Sequence, residues 1–573
     1  MKRLLIALFC AFLAAGCANI PDRTLPKIVV EATEQPQRQI GKPAPGLDPF
    51  SLVQGFVNNA GTPDIARTYL TEDIKPNWKG SAEPPTIIKN ESVRTVPQSV
   101  QEGRDNANEQ VVVLTATALG RLVGDRSFVP GVQSVTYRVI LRREDGQWRI
   151  AEPPNTMLIN QSDFEASYRR VNLEFFDLDQ RVLVPDLRYV ETEPRQGLSG
   201  RVLDLLLAGP SEPLRGAVRS PLDGVTLSTN VVEEAGGAIL INLSRLDKPI
   251  EDRQRIAAQL VYSLRDVTSS PLRLRVEGAD LVPDHQDWTV GDVGSYDALT
   301  TLKPDLFGLA VVDGRLRSLR DGKPVEGPTG AGAYDIVSAA QSLDGTQLAV
   351  VQRTPVGMRL RVGRTNAELP EVSLSPTATL TRPTWLVGGA SENGPSEVWT
   401  VQDGTLVVRV VRTADGKWDD FPVDASEFTQ NGGTITQLRL SRDGARVAAV
   451  VNGEVKVASV VRTNDAVTIS AVRTLQGGVV KDVIGLDWLD RLTLIVATEQ
   501  TTLPVASMPI DGLTYTRYNT TNLTLPVRAI TAAPSRSAIV TDGSGVWFTQ
   551  EAGKVWQLHQ YVQAAGALPF YPG

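Results

Sequence analysis

The strongest constraint on this chain is an imperfect repeat in its C-terminal half. "SLDGTQLAVV" (342–351) returns as "SRDGARVAAVV" (441–451) and, more weakly, as "APSRSAIVTDG" (533–543). Between these lie "RPTWLV" (382–387) and "GLDWLD" (485–490). With Ser342, Trp385, Ser441, Trp488 and Ser535 as anchors, the steps are 43, 56, 47 and 47 residues. Each unit holds about four short alternating strands separated by Gly, Asp or Asn turns, which at a period of about 45 reads as a β-propeller. "EVWTVQDGTLVVRVV" (397–411), turning at Asp403-Gly404, is one such hairpin. "FGLAVVDGRLRSLRDGKPV" (307–325) is an incomplete unit, and "YVQAAGALPFYPG" (561–573) is expected to supply its missing strand and close the ring. Residues 295–573 divide by the period into about six blades, with five and seven as the neighbouring counts.

The other end of the chain reads as an export signal. Lys2 and Arg3 precede Leu4 to Ala15, twelve almost wholly apolar residues. At 1.5 Å per residue this stretch is too short to cross ~30 Å of hydrocarbon comfortably. A basic start followed by a short apolar run is the layout of a secretory signal peptide. It ends in Leu13-Ala14-Ala15-Gly16-Cys17, which resembles a lipobox. Small residues before the cut let the peptidase close on the backbone, and the Cys17 sulfur takes the diacylglyceryl group. The large aliphatic residue usual three places before the cysteine is Ala14 here, with Leu13 one place earlier. Cleavage after residue 16 leaves Cys17 at the mature N-terminus, to be N-acylated, and removes Cys10, the one other cysteine. The mature chain then has no disulfide and no thiolate metal site. No later stretch reaches transmembrane length, so the lipid is the expected anchor, on the extracytoplasmic face of the cell membrane. Residues 17–48 are polar and proline-rich (Pro21, Pro26, Pro36, Pro43, Pro45) and read as a linker. A flexible chain of that length spans roughly 30 Å.

Two further blocks lie between linker and ring. In residues 49–160, Asp48-Pro49 is a helix-start signal, and Phe50, Val53, Phe56 and Val57 share a helical face. Thr62-Pro63 opens a second short helix. Strands follow at 110–122 and around Val135, Tyr137, Val139 and Leu141, then Asp145-Gly146 turns into Trp148-Arg149-Ile150. Two helices and a curved antiparallel sheet suggest an NTF2-like or cystatin-like α+β cone. Trp78 and Trp148 could line its pocket, with core packing the favoured role. In residues 165–290, "LVPDLRYV" (183–190), "GAILINLS" (237–244) and "LRLRVEGADL" (272–281) read as strands. Helices are expected at 200–214, facing inward through Val202, Leu205 and Leu206, and at 253–264, through Ile256, Leu260, Val261 and Leu264. Helices on one face of a small antiparallel sheet make a second α+β domain.

Signs of catalysis or of a cofactor are few. The net charge is −7 and there is no basic run, which argues against nucleic acid as a partner. There is no Gly-x-Ser-x-Gly elbow, no His-Glu-x-x-His, no P-loop and no dinucleotide-binding glycine pattern. The glycine-rich 327–334 stretch has no P-loop lysine after it and reads as a surface loop. Of the two histidines, His285 sits in "PDHQDW", where an acid-oriented base is conceivable but a solvated linker histidine is favoured. His559, in a strand-like stretch, has no evident partner. No metal ligand set or cofactor is expected, and no catalytic residue is assigned.

"LLLAGPS", a strand ending in "INLS", then "AQLVYSL" and "VEG" resemble the GerMN domain of spore-germination proteins and actinobacterial lipoproteins. The usual Pro-x-Gly-Thr turn is "SPLDGVT" here, one residue longer. The full order of lipobox, linker, α+β cone, GerMN domain and propeller resembles the LpqB lipoprotein family of actinobacteria. "LLLAGP", "AQLVYSL", the S-x-D-G turns and the terminal "PFYPG" carry the match. The resemblance implies an accessory of the MtrA–MtrB two-component system that contacts the extracytoplasmic part of the sensor kinase MtrB in envelope and division signalling. An envelope receptor for a glycan or peptide is the competing reading, and a carboxylate-only propeller enzyme a weaker one.

Overall fold

Asp48 caps the first helix of the fold: its Oδ1 accepts the N–H groups of Phe50 (2.9 Å) and Ser51 (3.1 Å), and Pro49 occupies the first helical position. The structure is a computed structural model that describes residues 41–573 except 79, 81–83, 91, 98–107, 235, 299–302, 388–394 and 465. Signal segment 1–16, Cys17 and most of the linker lie outside the described residues.

Helix α1 (Pro49–Asn58) buries Leu52, Val53, Phe56 and Val57. Leu52 takes the place expected of Phe50, which is half-buried at the edge of that face. After α2 (Pro63–Ala66) come β1 (Thr86–Ile88), β2 (Arg94–Pro97), β3 (Glu109–Leu122), β4 (Phe128–Glu144), β5 (Gln147–Glu152) and β6 (Leu158–Asn160), in the order β5-β4-β3-β1-β6 with β2 also on β3. The sheet is not wholly antiparallel as expected. From β5 at one edge the chain crosses to the other, so β6 runs parallel to β1. Trp78 meets the Phe56 ring edge-on at 5.8 Å and Trp148 lies 4.9 Å beneath the Arg143 guanidinium. Both pack, partly buried, against the α1–sheet core.

Helix α3 (Gln161–Ser167) leads into a hairpin of β7 (Tyr168–Phe176) and β8 (Leu183–Glu191). Then follow α4 (Leu198–Leu207), β9 (Val232–Glu233), β10 (Ile239–Leu243), α5 (Ile250–Leu264), β11 (Leu272–Val276), β12 (Ala279–Asp280) and β13 (Asp287–Trp288). The sheet order is β12-β11-β10-β9, with β13 on β11. Here too the antiparallel expectation needs correcting: α5 is a crossover, so β10 and β11 run parallel. Helix α4 buries Val202, Leu203 and Leu206, leaving the expected Leu205 at the margin. Every residue from 256 to 264 of α5 is buried, because β7 and α4 pack on it as well as the sheet.

The described residues of 309–570 form six consecutive small sheets in a propeller-like arrangement, two of three strands and four of four. Their innermost strands are Ile336–Gln341, Thr384–Trp385, Ile435–Leu440, Val483–Trp488, Ala529–Thr531 and Leu568–Phe570, which adjoin one another in cyclic order. Ser342, Trp385, Ser441 and Trp488 sit at or just after the ends of four of these, and Ser535 lies in the turn that follows Ala529–Thr531. Phe570, Pro569 and Leu568 pair with Leu309, Ala310 and Val311, so the C-terminal segment completes the first sheet as expected. Trp385 Nε1 donates to Ala340 O (3.2 Å) and Trp488 Nε1 to Arg439 O (3.3 Å), stitching each of those sheets to its predecessor. In the repeated turn, Ser342 Oγ accepts the Gln347 N–H (2.9 Å) and Ser441 Oγ the Arg446 N–H (3.0 Å). Gly345 (φ 80°) and Gly444 (φ 71°) follow in the left-handed region, where a Cβ would also strike Leu306 and Leu386. The 327–334 stretch is not an open surface loop. It contains a one-turn helix, Pro328–Ala331, with Thr329 and Gly330 buried, and a Cβ on Gly330 would overlap Val325.

The second block and the ring share a buried interface. Glu174, wholly buried in β7, accepts from Arg491 Nη2 (2.9 Å), while Arg491 also donates to Leu183 O (2.6 Å). Arg265 stands 3.7 Å away on the other side. Replacing Arg491 by Met takes the closer cation from a wholly buried carboxylate and should lower stability by about 3 kcal/mol in a denaturant titration. Adding Glu174→Met should recover most of that loss, since no buried carboxylate remains and the partly exposed Arg265 keeps Asp266 at 4.0 Å.

Candidate binding cleft

A cleft of about 1150 Å³ opens in the second block. One wall is the start of β7 with the loop after β8, residues 192–197, and the first turn of α4. The other is β9 with the residues just before it and the segment after α5, residues 267–270. Arg201 of α4 holds the first wall: its Nη2 donates to Glu191 O (3.1 Å) and Pro194 O (2.8 Å), its Nη1 to Gln196 O (3.3 Å). Gly197 caps α4 with φ 78° and no side chain, so no side chain competes for the first N–H groups of the helix. Arg169 and Arg195 balance Glu193 and Glu233 in charge, and Leu198, Val231, Val232, Ile239 and Val267 supply apolar surface.

Among the described residues β9 pairs with β10 alone, so its other edge is open along the cleft. Val232 is 51% exposed there. An open edge beside apolar and mixed-charge walls suits an extended peptide, whose backbone can add to the sheet while its side chains fill the cleft. The sequence signal for this strand is weak: Val231-Val232 followed at once by Glu233-Glu234.

The residues singled out from sequence lie elsewhere. His285 is not in a linker, because Asp287–Trp288 is a strand of the second-block sheet. Asp287 is taken by Arg273 (2.8 Å), and the nearest acid to His285 Nε2 is Asp292 at 3.9 Å, with the ring tilted on Trp288 at 4.0 Å. His559 Nδ1 accepts the N–H groups of Tyr561 (3.3 Å) and Val562 (3.1 Å), so it shapes a turn. Trp78 and Trp148 do not line the cleft. No group of three or more His, Cys, Asp or Glu side chains suited to a metal occurs among the described residues.

Fold and cleft together define a multidomain protein with a propeller-like C-terminal half. Residues 314–572 match the family described as Lipoprotein LpqB beta-propeller domain, and 42–165 that described as Lipoprotein LpqB, N-terminal domain. Residues 173–282 match the family described as Sporulation and spore germination. The chain is 30% identical to "Lipoprotein LpqB" of Mycolicibacterium smegmatis, covering 100% of both chains. It is 29% identical to that of Rhodococcus opacus, covering 99% of this chain and 97% of the relative, and 29% identical to that of Nocardia farcinica, covering 97% and 96%. The chain belongs to the LpqB lipoprotein family. Among the described residues no helix is long and apolar enough to cross a membrane.

Burial holds the His559 imidazole below its usual pKa of 6.5, so folding favours the neutral ring. That contribution is full above the unfolded value and is lost as pH falls through it toward the folded one. Melting temperature followed from about pH 7 to about pH 5 should therefore decline more in the wild type than in His559→Gln.

Proposed function

We propose that this protein is a lipid-anchored, extracytoplasmic accessory of a two-component sensor kinase of the MtrA–MtrB type. It would be held at the cell membrane by diacylglyceryl and N-acyl chains on Cys17 and act by binding rather than turnover. In this reading residues 49–160 are an NTF2-like cone, 165–290 a GerMN domain and 295–573 a six-bladed propeller. The six sheets and the pairing of Leu568–Phe570 with the first of them support the blade count. Family membership supports the lipoprotein assignment, and the kinase partnership rests on the resemblance to LpqB proteins.

The observation that carries a binding role is the cleft with the open β9 edge. An extended segment of the kinase's extracytoplasmic domain is the proposed occupant. A glycan or wall-peptide receptor would use the same cleft, so the two readings are separated by what it captures.

The purified protein should form a complex with that kinase domain at micromolar concentration or tighter, read by interferometry. Val232→Glu should weaken it about tenfold or more by placing a charge at the apolar edge, with little change in melting temperature because Val232 is half exposed. Absence of any complex at micromolar concentration would sink the direct contact. For the anchor, Cys17→Ser should abolish labelling by a fatty-acid probe and release the protein from the membrane. A mutant that stays membrane-bound without lipid would place the anchor elsewhere.

A further inference from the structure

Among the described residues, the axis of the ring holds more positive charge than its side chains neutralise. Arg382, Arg439 and Arg442 gather there around one carboxylate, Asp487. Arg382 Nη1 lies 3.5 Å from Asp487 Oδ2, and its guanidinium sits 5.4 Å from the centre of the Phe570 ring. Arg439 Nη1 donates to the carbonyls of Arg382 (2.9 Å) and Leu438 (2.8 Å). Arg442 Nη2 donates to Pro572 O (3.0 Å). These are neutral acceptors. Asp487 is itself occupied: Oδ2 also accepts from Thr531 Oγ1 (2.7 Å), and Oδ1 accepts the Trp488 N–H (3.0 Å).

Arg439 is 3% and Arg442 9% exposed, yet Arg439 Nε and Arg442 Nη1 have no hydrogen-bond partner among the described residues. Arg382 Nε is orphaned in the same way. Burial depresses the Arg439 pKa to about 9, with the charge of Arg382 adding to the effect, and that of Arg442 to about 10. Both guanidinium groups stay protonated at neutral pH. A buried cation is strongly destabilising unless a counter-charge stands beside it. Among the described residues these three guanidinium groups share one side-chain carboxylate, with Gly573 packed against that of Arg442, and Arg forks are shaped for two-point contact with a planar or tetrahedral oxyanion.

We propose that the axis of the ring is an anion site, in which a carboxylate or phosphate group bound at Arg439 and Arg442, beside the Arg382–Asp487 pair, completes the charge balance. The site lies apart from the β9 cleft and does not depend on the kinase reading. Arg442 belongs to the same turn as Asp443 and Gly444, which line a second cleft of about 340 Å³ with Asp177 and Asp179 of the second block. Occupancy of the axis can therefore be felt where ring and second block meet.

The test compares the melting temperature of the detergent-solubilised full chain in sodium phosphate, sodium acetate and sodium chloride at matched ionic strength. Phosphate or acetate should raise it by about 2–4 °C over chloride. A response to phosphate alone assigns a phosphate group, and one to acetate alone a carboxylate. In Arg439→Met/Arg442→Met the response should vanish, with a melting temperature in chloride no lower than wild type because two like charges leave the interior. Equal midpoints of the wild type in all three salts would overturn the proposal, as would a response that survives in the double variant. Should that variant fail to fold, equilibrium dialysis of labelled phosphate and of labelled acetate against the wild type decides: about one bound anion per chain supports the site, and none for either refutes it.

Discussion

Strand β8 carries eight consecutive buried residues, Leu183 to Val190, although among the described residues it pairs with only one other strand. A lone hairpin is marginal in water. This one is stable because α5 covers β7 while the ring and the first block close over β8. Alternation sorts its side chains. Leu187 packs among Val455, Val457 and Leu494 of the ring, and Tyr189 donates to Asp511 (2.7 Å). On the opposite face Asp186 accepts from Ser211 Oγ (2.8 Å), and Arg188 pairs with Asp186 (2.6 Å) and donates to Asp125 O of the first block (2.5 Å). One strand thus touches all three blocks. Arg188 reaches the Asp125 carbonyl only when the first block is in place, and Tyr189 the Asp511 carboxylate only when the ring is, which couples their folding through the cost of leaving buried polar groups unpaired.

The repeat made the ring legible because four of its anchors, Ser342, Trp385, Ser441 and Trp488, have a job at the end of the innermost strand of their sheet. Ser342 and Ser441 close the turn that ends the innermost strand, and Trp385 and Trp488 reach back to the strand before. Such local chemistry recurs at a fixed period and survives as a pattern. The first helix was legible for the same reason, since Asp48 and Pro49 act within one turn.

Long-range features left no such trace. The parallel pairs β1–β6 and β10–β11 depend on where the chain crosses, which the alternation of apolar residues does not encode, although the strand–helix–strand order around α5 is a usable hint. The arginines at the axis read as ordinary strand and turn residues because the carboxylate they surround lies on another sheet. The β9 cleft was illegible because its walls come from five separate segments and its edge strand has two residues. His285 drew attention by its acidic neighbours in sequence, yet Asp287 points to Arg273.

A body fused in this way would suit the binding role proposed above: a cleft with an open edge and a charged ring axis are held in one body by β8. Native-state hydrogen exchange of the β8 amides tests that fusion most directly. The amides of residues 184–190 that are bonded to β7 should exchange only through the same global opening as the ring's innermost strands, with the same free energy and denaturant dependence. Exchange of β8 through a smaller opening, while the ring and the second-block sheet stay protected, would show that the blocks come apart independently and would contradict the account.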